Sequence, residues 1–262
     1  MTIPDQSYER RFGGIARLYG ADALVRFRRA RVAIIGVGGV GSWVAEALAR
    51  SGIGALTLID LDDICLSNTN RQLPAHDGNF GRMKVAALAE RISAINPECV
   101  VHGIEDFIAP DNFAEHLAGE LDYVVDAIDS VRTKAALIAW CREHRLKIVT
   151  TGGAGGQTDP TQVRVDDLSR TTHDPLASKV RNMLRRDYGF ARGDRKMGVD
   201  IVYSTEQLRY PQADGSVCAQ KPQAGDGPVR LDCAGGFGAS VAVTGTFGFV
   251  AAAQVLKRLA AN

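Results

Sequence analysis

Between Arg31 and Arg50 the chain reads RVAIIGVGGVGSWVAEALAR. A short apolar run, Val32–Gly36, leads into the GVGGVG of Gly36–Gly41, and a helical pattern over Gly39–Ser51 follows at once. A strand that turns through G-x-G-x-x-G into a helix opens a nucleotide-binding βαβ unit. Gly36 permits the tight turn, Gly38 lets a phosphate approach the backbone, and Gly41 lets the helix pack close to the sheet; Gly39 completes the loop. The amides at the helix start then face the phosphates with the positive end of the helix dipole. Asp60 closes the next apolar run 19 residues after Gly41, where a carboxylate can accept bonds from ribose hydroxyls. These features specify an adenine nucleotide without choosing among NAD, FAD and ATP.

Working outward, short apolar runs recur at Ala55–Asp60, Val100–Ile104, Tyr123–Ala127 and Lys147–Thr151. Helical candidates lie between them at Gly81–Ile95, Pro110–Ala118 and Val131–His144. In the first of these, Val85, Leu88, Ala89 and Ile92 recur at i, i+3, i+4 and i+7, the spacing of one buried face. Such alternation predicts an α/β fold, a Rossmann-like and mostly parallel sheet with flanking helices. Gly14–Arg29 reads as a single amphipathic helix with an arginine-rich exposed side, formed by Arg26, Arg28 and Arg29 with Arg31 next to it. After Thr151 the texture changes to a glycine-rich turn, a strand over TQVRVDDL, a long polar stretch Ser169–Gly198, a possible edge strand VDIVYST and a Gly/Pro-rich loop Gln212–Pro228. Residues 1–165 are thus expected to hold the N-terminal helix and the ATP-binding half. Residues 166–262 form a smaller strand, loop and helix region for substrate binding and dimerisation, both halves belonging to one continuous domain.

The 262 residues suffice for a substantial core, and a net charge of +1 provides no overall field to select nucleic acid or membrane. A local basic patch would still suffice for RNA. Five scattered cysteines without a Cys-x-x-Cys pair specify neither a disulfide framework nor a zinc knuckle, which fits a reducing cytoplasm. The polar N-terminus lacks the apolar core of a signal peptide. From Ala234 to Leu256 no residue is charged, a span long enough for a bilayer. Its five glycines, with Ser240, Thr244 and Thr246, favour a helix packed closely inside protein over a lipid-facing one.

ATP is singled out by the residues after the second run. The segment Asn68–Gln72 reads NTNRQ, and Lys84 lies 13 residues beyond Arg71. A triphosphate, with about four negative charges at neutral pH, needs fixed cations and Mg²⁺. Arg71 and Lys84 supply such cations, and Asp129 in DAIDS can hold Mg²⁺ directly or through water. Each has an ordinary alternative: a surface ion pair for Arg71, a solvated lysine on the exposed side of its helix for Lys84, an N-cap for Asp129. Asp62 and Asp63 read as turn caps, with Asp62 a candidate support for the ribose.

Together these residues resemble the adenylating superfamily of ThiF, MoeB, HesA and the ubiquitin-activating enzymes. The match runs through Arg11–Phe12, GVGGVG, Leu58–Gln72, Gly81–Val85 and Val124–Ser130. The resemblance implies that Asp60 binds ribose, that Asn68, Arg71, Gln72 and Lys84 serve the nucleotide, and that Asp129 positions Mg²⁺. It also implies a homodimer in which a basic residue near the N-terminus, here Arg11, completes the partner's site. The family's R-[YF]-x-R motif reads Arg11-Phe12-Gly13-Gly14, so its second arginine is missing and Arg17 is the candidate substitute. The zinc cysteines of MoeB-like proteins and a catalytic cysteine after a Thr-rich loop are absent too, which argues against a plain activator of a ubiquitin-like sulfur carrier.

A narrower set, RFGGIARLYG (Arg11–Gly20), TTGGAGGQTDPTQ (Thr150–Gln162), YPQADGSVCA (Tyr210–Ala219) and LDCAGGFGAS (Leu231–Ser240), resembles the bacterial tRNA threonylcarbamoyladenosine dehydratase family, TcdA or CsdL. That resemblance implies ATP-dependent cyclisation of the modified adenosine beside the anticodon through an acyl-adenylate, the substrate itself supplying the second nucleophile. It further suggests a monovalent cation, K⁺ or Na⁺, near the glycine-rich loops and a partner from a cysteine-desulfurase or sulfur-acceptor system. Contact with tRNA would fall to the basic run that includes Lys179, Arg181, Arg185 and Arg186, with Tyr188 and Phe190 as stacking candidates. The bland reading of that run is a solvated crossover segment. Cys233, in a glycine-rich turn, reads as a buried thiol before it reads as a sulfur-handling one. A sulfur-carrier adenylyltransferase, an NAD-linked oxidoreductase and a non-catalytic scaffold are the competing readings.

Overall fold

The computed structural model describes residues 7–117, 119–212, 214–220 and 237–261. Helices α1 (Ser7–Tyr19) and α2 (Ala21–Arg29) precede strand β1 (Arg31–Ile35). There follow α3 (Gly41–Arg50), β2 (Ala55–Ile59), α4 (Lys84–Ile95), β3 (Val100–Ile104), α5 (Phe113–His116), β4 (Tyr123–Asp126), α6 (Val131–Glu143) and β5 (Ile148–Thr151). The chain continues through β6 (Val163–Asp167), α7 (Pro175–Asp187), β7 (Asp200–Ser204), the short β8 (Tyr210–Pro211) and β9 (Val217–Cys218), and α8 (Val241–Ala260). Seven strands form one sheet in the order β3-β2-β1-β4-β5-β7-β6, parallel throughout except for the antiparallel β6–β7 pair. The α/β, mostly parallel expectation holds.

Central strands β1 and β4 are buried nearly end to end, as strands covered by helices on both faces must be. The order runs outward from β1 to β3 on one side and from β4 to β6 on the other, so the order in which strands are added reverses between the parallel neighbours β1 and β4. At that point the C-terminal strand ends leave a crevice, the place where open α/β sheets bind ligands.

Three expectations need correction. The N-terminal helix is two helices, because Gly20 at φ 95° separates α1 from α2. VDIVYST is not an edge strand: β7 lies between β5 and β6, and β6 is the edge. The polar stretch Ser169–Gly198 holds the 13-residue helix α7, with Asp174 accepting the Ala177 N–H and Pro175 in the first turn. Its buried face (Ala177, Val180, Leu184) packs with Ile138 of α6 and Ile201 of β7.

The uncharged C-terminal segment forms α8, capped by Ser240, and its glycines explain its packing. A Cβ on Gly248 would lie 2.6 Å from Trp43 Cβ and 2.7 Å from the Val40 carbonyl, so only glycine lets α8 lie this close to α3. Val243, Phe247, Ala251 and Val255 enter the main core from α8. No helix among the described residues is long and apolar enough to cross a membrane.

Candidate nucleotide site

A cleft of about 670 Å³ opens at the crevice. Its floor is the loop from β1 to α3. Gly36 adopts φ 80°, and a Cβ on it would meet the Ala127 carbonyl at 3.0 Å. On Gly41 a Cβ would lie 1.8 Å from the Gly36 carbonyl, which no side chain survives. Ser42 locks the turn by donating from both Oγ and backbone N to the Gly38 carbonyl.

The opposite wall is the segment after β2. Buried Asn68 accepts the Cys65 N–H at its side-chain oxygen, and its carbonyl accepts the N–H groups of Arg71 and Gln72. Asn68 lines the cleft, but this oxygen of the expected nucleotide ligand shapes the loop. Arg71 is brought over the floor, its stem so near Gly39 that an added Cβ would touch Cγ at 3.2 Å. The guanidinium donates to the Ser67 carbonyl and Asn70 Oδ1, and the Arg71 carbonyl accepts from the Trp43 indole. Gln72 is buried beside Gly38, and its side-chain oxygen has no partner among the described residues.

Lys84 is not on the exposed side of its helix. It is 5% exposed, and its Nζ donates to Asp62 Oδ2 at 2.6 Å and to Asp60 Oδ1 at 3.5 Å. Asp60 also accepts the backbone N–H groups of Val37 and Asp62. Its two oxygens are therefore largely engaged, whereas the Asp62 side chain is 60% exposed. Asp129 is exposed at the cleft and makes no hydrogen bond or ion pair with the described residues. The cap of α6 is Ser130, whose side chain accepts the Thr133 N–H, so Asp129 is spared that duty.

Charge in the cleft runs against the sequence argument. Among the described residues Asp60, Asp62, Asp63, Asp106 and Asp129 line it against Arg71 and Lys84. These described cations do not outnumber the described carboxylates, and Lys84 is already paired. Cys65 also lines the cleft, and the neighbouring Asp63 charge and the hydrogen bond to it raise its pKa. That thiol is a poor nucleophile.

Beneath the cleft lies a group the sequence reading missed. Lys134 of α6 is 1% exposed and reaches Asp126 Oδ2 at 2.9 Å and Thr150 Oγ1 at 2.9 Å. Thr150 donates in turn to Asp126 at 2.6 Å, and the other Asp126 oxygen accepts the Ile128 N–H. This closed triad ties the ends of β4 and β5 to α6 directly below Asp129. The sequence signal is a lysine three and four residues from Leu137 and Ile138, within an apolar helix face. Asp174, also missed, accepts from Gly153 and Ala177, and burial raises its pKa.

The remaining candidates lie elsewhere. Arg11 bonds the Ile95 carbonyl and, like exposed Arg17, does not line the cleft of its own chain. Arg185 is committed to the carbonyls of Ala191 and Gly193, and Arg186 to Asp187. Arg181 holds Leu168 and Thr171 through one nitrogen. Phe190 is 3% exposed under the Arg142 guanidinium, so it cannot stack on a base. Of the basic run, Lys179, Arg192, Arg195 and Lys196 are exposed and unpaired among the described residues. In the arginine group of the first helices Arg26 caps the α8 carbonyls of Leu259 and Ala260, Arg28 pairs with Glu98 and Arg31 with Glu120, which leaves Arg29 exposed and unpaired among the described residues. Cys233 lies outside the described residues.

Residues 8–262 match the model of the ThiF family. The chain belongs to the ThiF family. This ThiF-family chain is 57% identical to the tRNA threonylcarbamoyladenosine dehydratase of Escherichia coli (strain K12) over 262 residues, all of this chain and 97% of that protein. A solved structure of TcdA (CsdL) superposes with TM-score 0.90 at 53% identity, covering 100% of this chain and 98% of the other. The E. coli dehydratase solved in complex with ATP superposes with TM-score 0.87 at 51% identity, with the same coverage. Both resemblances read from the motifs therefore hold.

Proposed function

We propose that this chain cyclises threonylcarbamoyladenosine in tRNA at the expense of ATP, through an acyl-adenylate. The observation that carries the reading is the cleft itself. It combines a phosphate loop, an arginine seated on that loop and an unpaired carboxylate, while its one described cysteine is held protonated. Adenylation needs charge compensation and in-line positioning, not an enzyme nucleophile, when the substrate carries its own.

In the first step the threonine carboxylate oxygen bonds to the α-phosphorus and pyrophosphate leaves. In the second an internal nitrogen or oxygen of the substrate attacks the activated carbonyl, AMP departs and the nucleophile's proton is lost. The product is the substrate less one water, whose elements end in AMP and pyrophosphate. Arg71 faces the phosphates from above the loop, and the helix start of α3 faces them from below. Lys84 holds Asp60 and Asp62 at the ribose end, where Asp62 has the freer oxygens.

Because carboxylates outnumber cations among the described residues of the cleft, ATP needs further positive charge. Mg²⁺ travelling with ATP would supply part of it, with Asp129 as its protein ligand. No cluster of three or more His, Cys, Asp or Glu suited to a metal occurs among the described residues. One carboxylate plus phosphates is the ordinary Mg²⁺ arrangement, so the site fits that ion. Arg11 of a second copy would supply the rest. An uncharged face of α8 supports such a homodimer: Ala242, Phe249 and Ala253 are exposed on it, Phe249 by 49%.

The test is mass analysis of tRNA from cells lacking the gene, then complemented. The linear modification should accumulate without the protein, the wild type should restore the ring, and Arg71→Ala should not. Ring formation in the deleted cells, or full rescue by Arg71→Ala, would overturn the assignment. AMP release that requires a small carrier protein in place of tRNA would do so as well.

A further inference from the structure

A second cavity of about 480 Å³, within the size range of small-ligand sites, lies behind the nucleotide cleft. It is bounded by the start of α7, the segment before it, and residues 207–210 with Ala219. Asp174 stands in its wall and accepts the N–H of Gly153, which lines the nucleotide cleft. On the other side Tyr210 lines the second cavity and Phe237 lines the first, their rings 5.2 Å apart. At each place a pair of residues in contact, one lining each space, separates the two.

The lining offers apolar, polar and charged surface, with Arg181 as its cation and Asp174 as its carboxylate, the latter already accepting the N–H groups of Gly153 and Ala177. Tyr210, Leu208 and Pro175 offer apolar surface, and Gln207 and Ser178 offer hydrogen bonds. Arg181 is half-buried there with no carboxylate ion pair among the described residues, its guanidinium pinned by carbonyls. A pinned, partly desolvated cation facing a cavity is compensated when an anion enters.

Resting on the function proposed above, we propose that this cavity seats the modified nucleoside of the RNA. Its base lies against Tyr210 and its phosphate on Arg181, and its carboxylate arm reaches the nucleotide cleft across the Asp174–Gly153 wall. The two-cavity arrangement answers a geometric need. The adenosine to be modified and the ATP are both nucleotides, and the crevice has one phosphate loop. The acceptor nucleoside therefore needs its own seat.

The experiment compares the wild type with Tyr210→Ala, Arg181→Gln and Ala219→Trp, the last filling the cavity from an exposed position. Probes are an anticodon stem-loop carrying threonylcarbamoyladenosine, the free modified nucleoside without phosphate, and ATP. Tyr210→Ala and Ala219→Trp should raise KM for the stem-loop at least about tenfold and abolish competition by the free nucleoside. Their Kd for ATP should stay within about twofold of the wild type, about 0.4 kcal/mol. Arg181→Gln should also raise KM and lower the salt slope of RNA binding by about one, as loss of one phosphate contact does, yet leave nucleoside competition intact. Unchanged KM in Tyr210→Ala and Ala219→Trp overturns the proposal, and so does an equal loss of ATP affinity. A wild type that makes no AMP on the stem-loop would instead bring down the function itself.

Discussion

The side chain of Arg71 rests on the Cα of Gly39: a Cβ built at Gly39 would stand 3.2 Å from Arg71 Cγ and 3.3 Å from Cδ. The glycine loop and the arginine beside it are thus one packed unit. Gly39 contributes no positive φ; a side chain there would require the Arg71 stem to give by a few tenths of an ångström.

Gly39→Ala should therefore shift Arg71 from its seat on the loop by a few tenths of an ångström while leaving the fold in place. ATP affinity is expected to fall about tenfold, about 1.4 kcal/mol, with thermal stability lowered by no more than about 1 kcal/mol. Calorimetric titration with ATP checks this. Retained affinity would mean that Arg71 does not need its present seat.

Metal removal should weaken ATP more than charge screening would. Among the described residues five aspartates against two basic residues line the cleft, so a chelator should reduce ATP binding by at least about 100-fold. Asp129→Asn should raise the Mg²⁺ concentration needed for half-maximal AMP release by about tenfold, a single carboxylate contact being lost. Titrating AMP release against Mg²⁺ reads both effects. An Asp129→Asn curve lying on that of the wild type would remove the metal role.

The buried Lys134–Asp126 pair is expected to behave as a closed unit. Lys134→Met leaves a charged or protonated Asp126 without its partner, and should destabilise the chain by about 3–5 kcal/mol. The double change Lys134→Met with Asp126→Leu should recover a large part of that loss. Denaturant unfolding of Lys134→Met, Asp126→Leu and the double variant decides it, and simple additivity of the single losses would refute the coupling.

Glu46 predicts an acid limb in stability. It is buried between α3 and α4; burial raises its pKa, but hydrogen bonds and charge from Arg91 and Arg50 outweigh this and hold it below the ordinary value. A carboxylate depressed in the folded state stabilises fully above its unfolded pKa of about 4.3. That contribution fades as pH falls through the folded value. Unfolding free energy of the wild type should decline below about pH 4.3, and Glu46→Gln should lose stability at pH 7 and show a shallower decline. Parallel pH profiles for the two proteins would exclude the linkage.

The strand–glycine loop–helix unit, the parallel sheet and the cleft's key residues were legible because each rests on local spacing. Gly36, Gly41 and Asp60 occupy positions set by one βαβ turn, and Val85, Leu88 and Ile92 mark a helix face by period alone. Three things were not legible, each for want of a distant neighbour. Lys84 reads as solvated until Asp60 and Asp62 are folded against it. The basic run around α7 reads as an RNA surface until Arg185 and Arg186 find their carbonyl and carboxylate partners and Phe190 sinks beneath Arg142. Lys134 reads as an oddity until Asp126 and Thr150 close around it.

By itself, then, the order of residues determined the nucleotide-binding architecture and the identity of the phosphate loop, since backbone conformation and periodicity are encoded within a few residues. Only the tertiary structure decided which charges remain available to a ligand. Whether an ionic side chain is spent or free depends on what the fold brings within about 4 Å of it, and segments far apart in sequence make that choice.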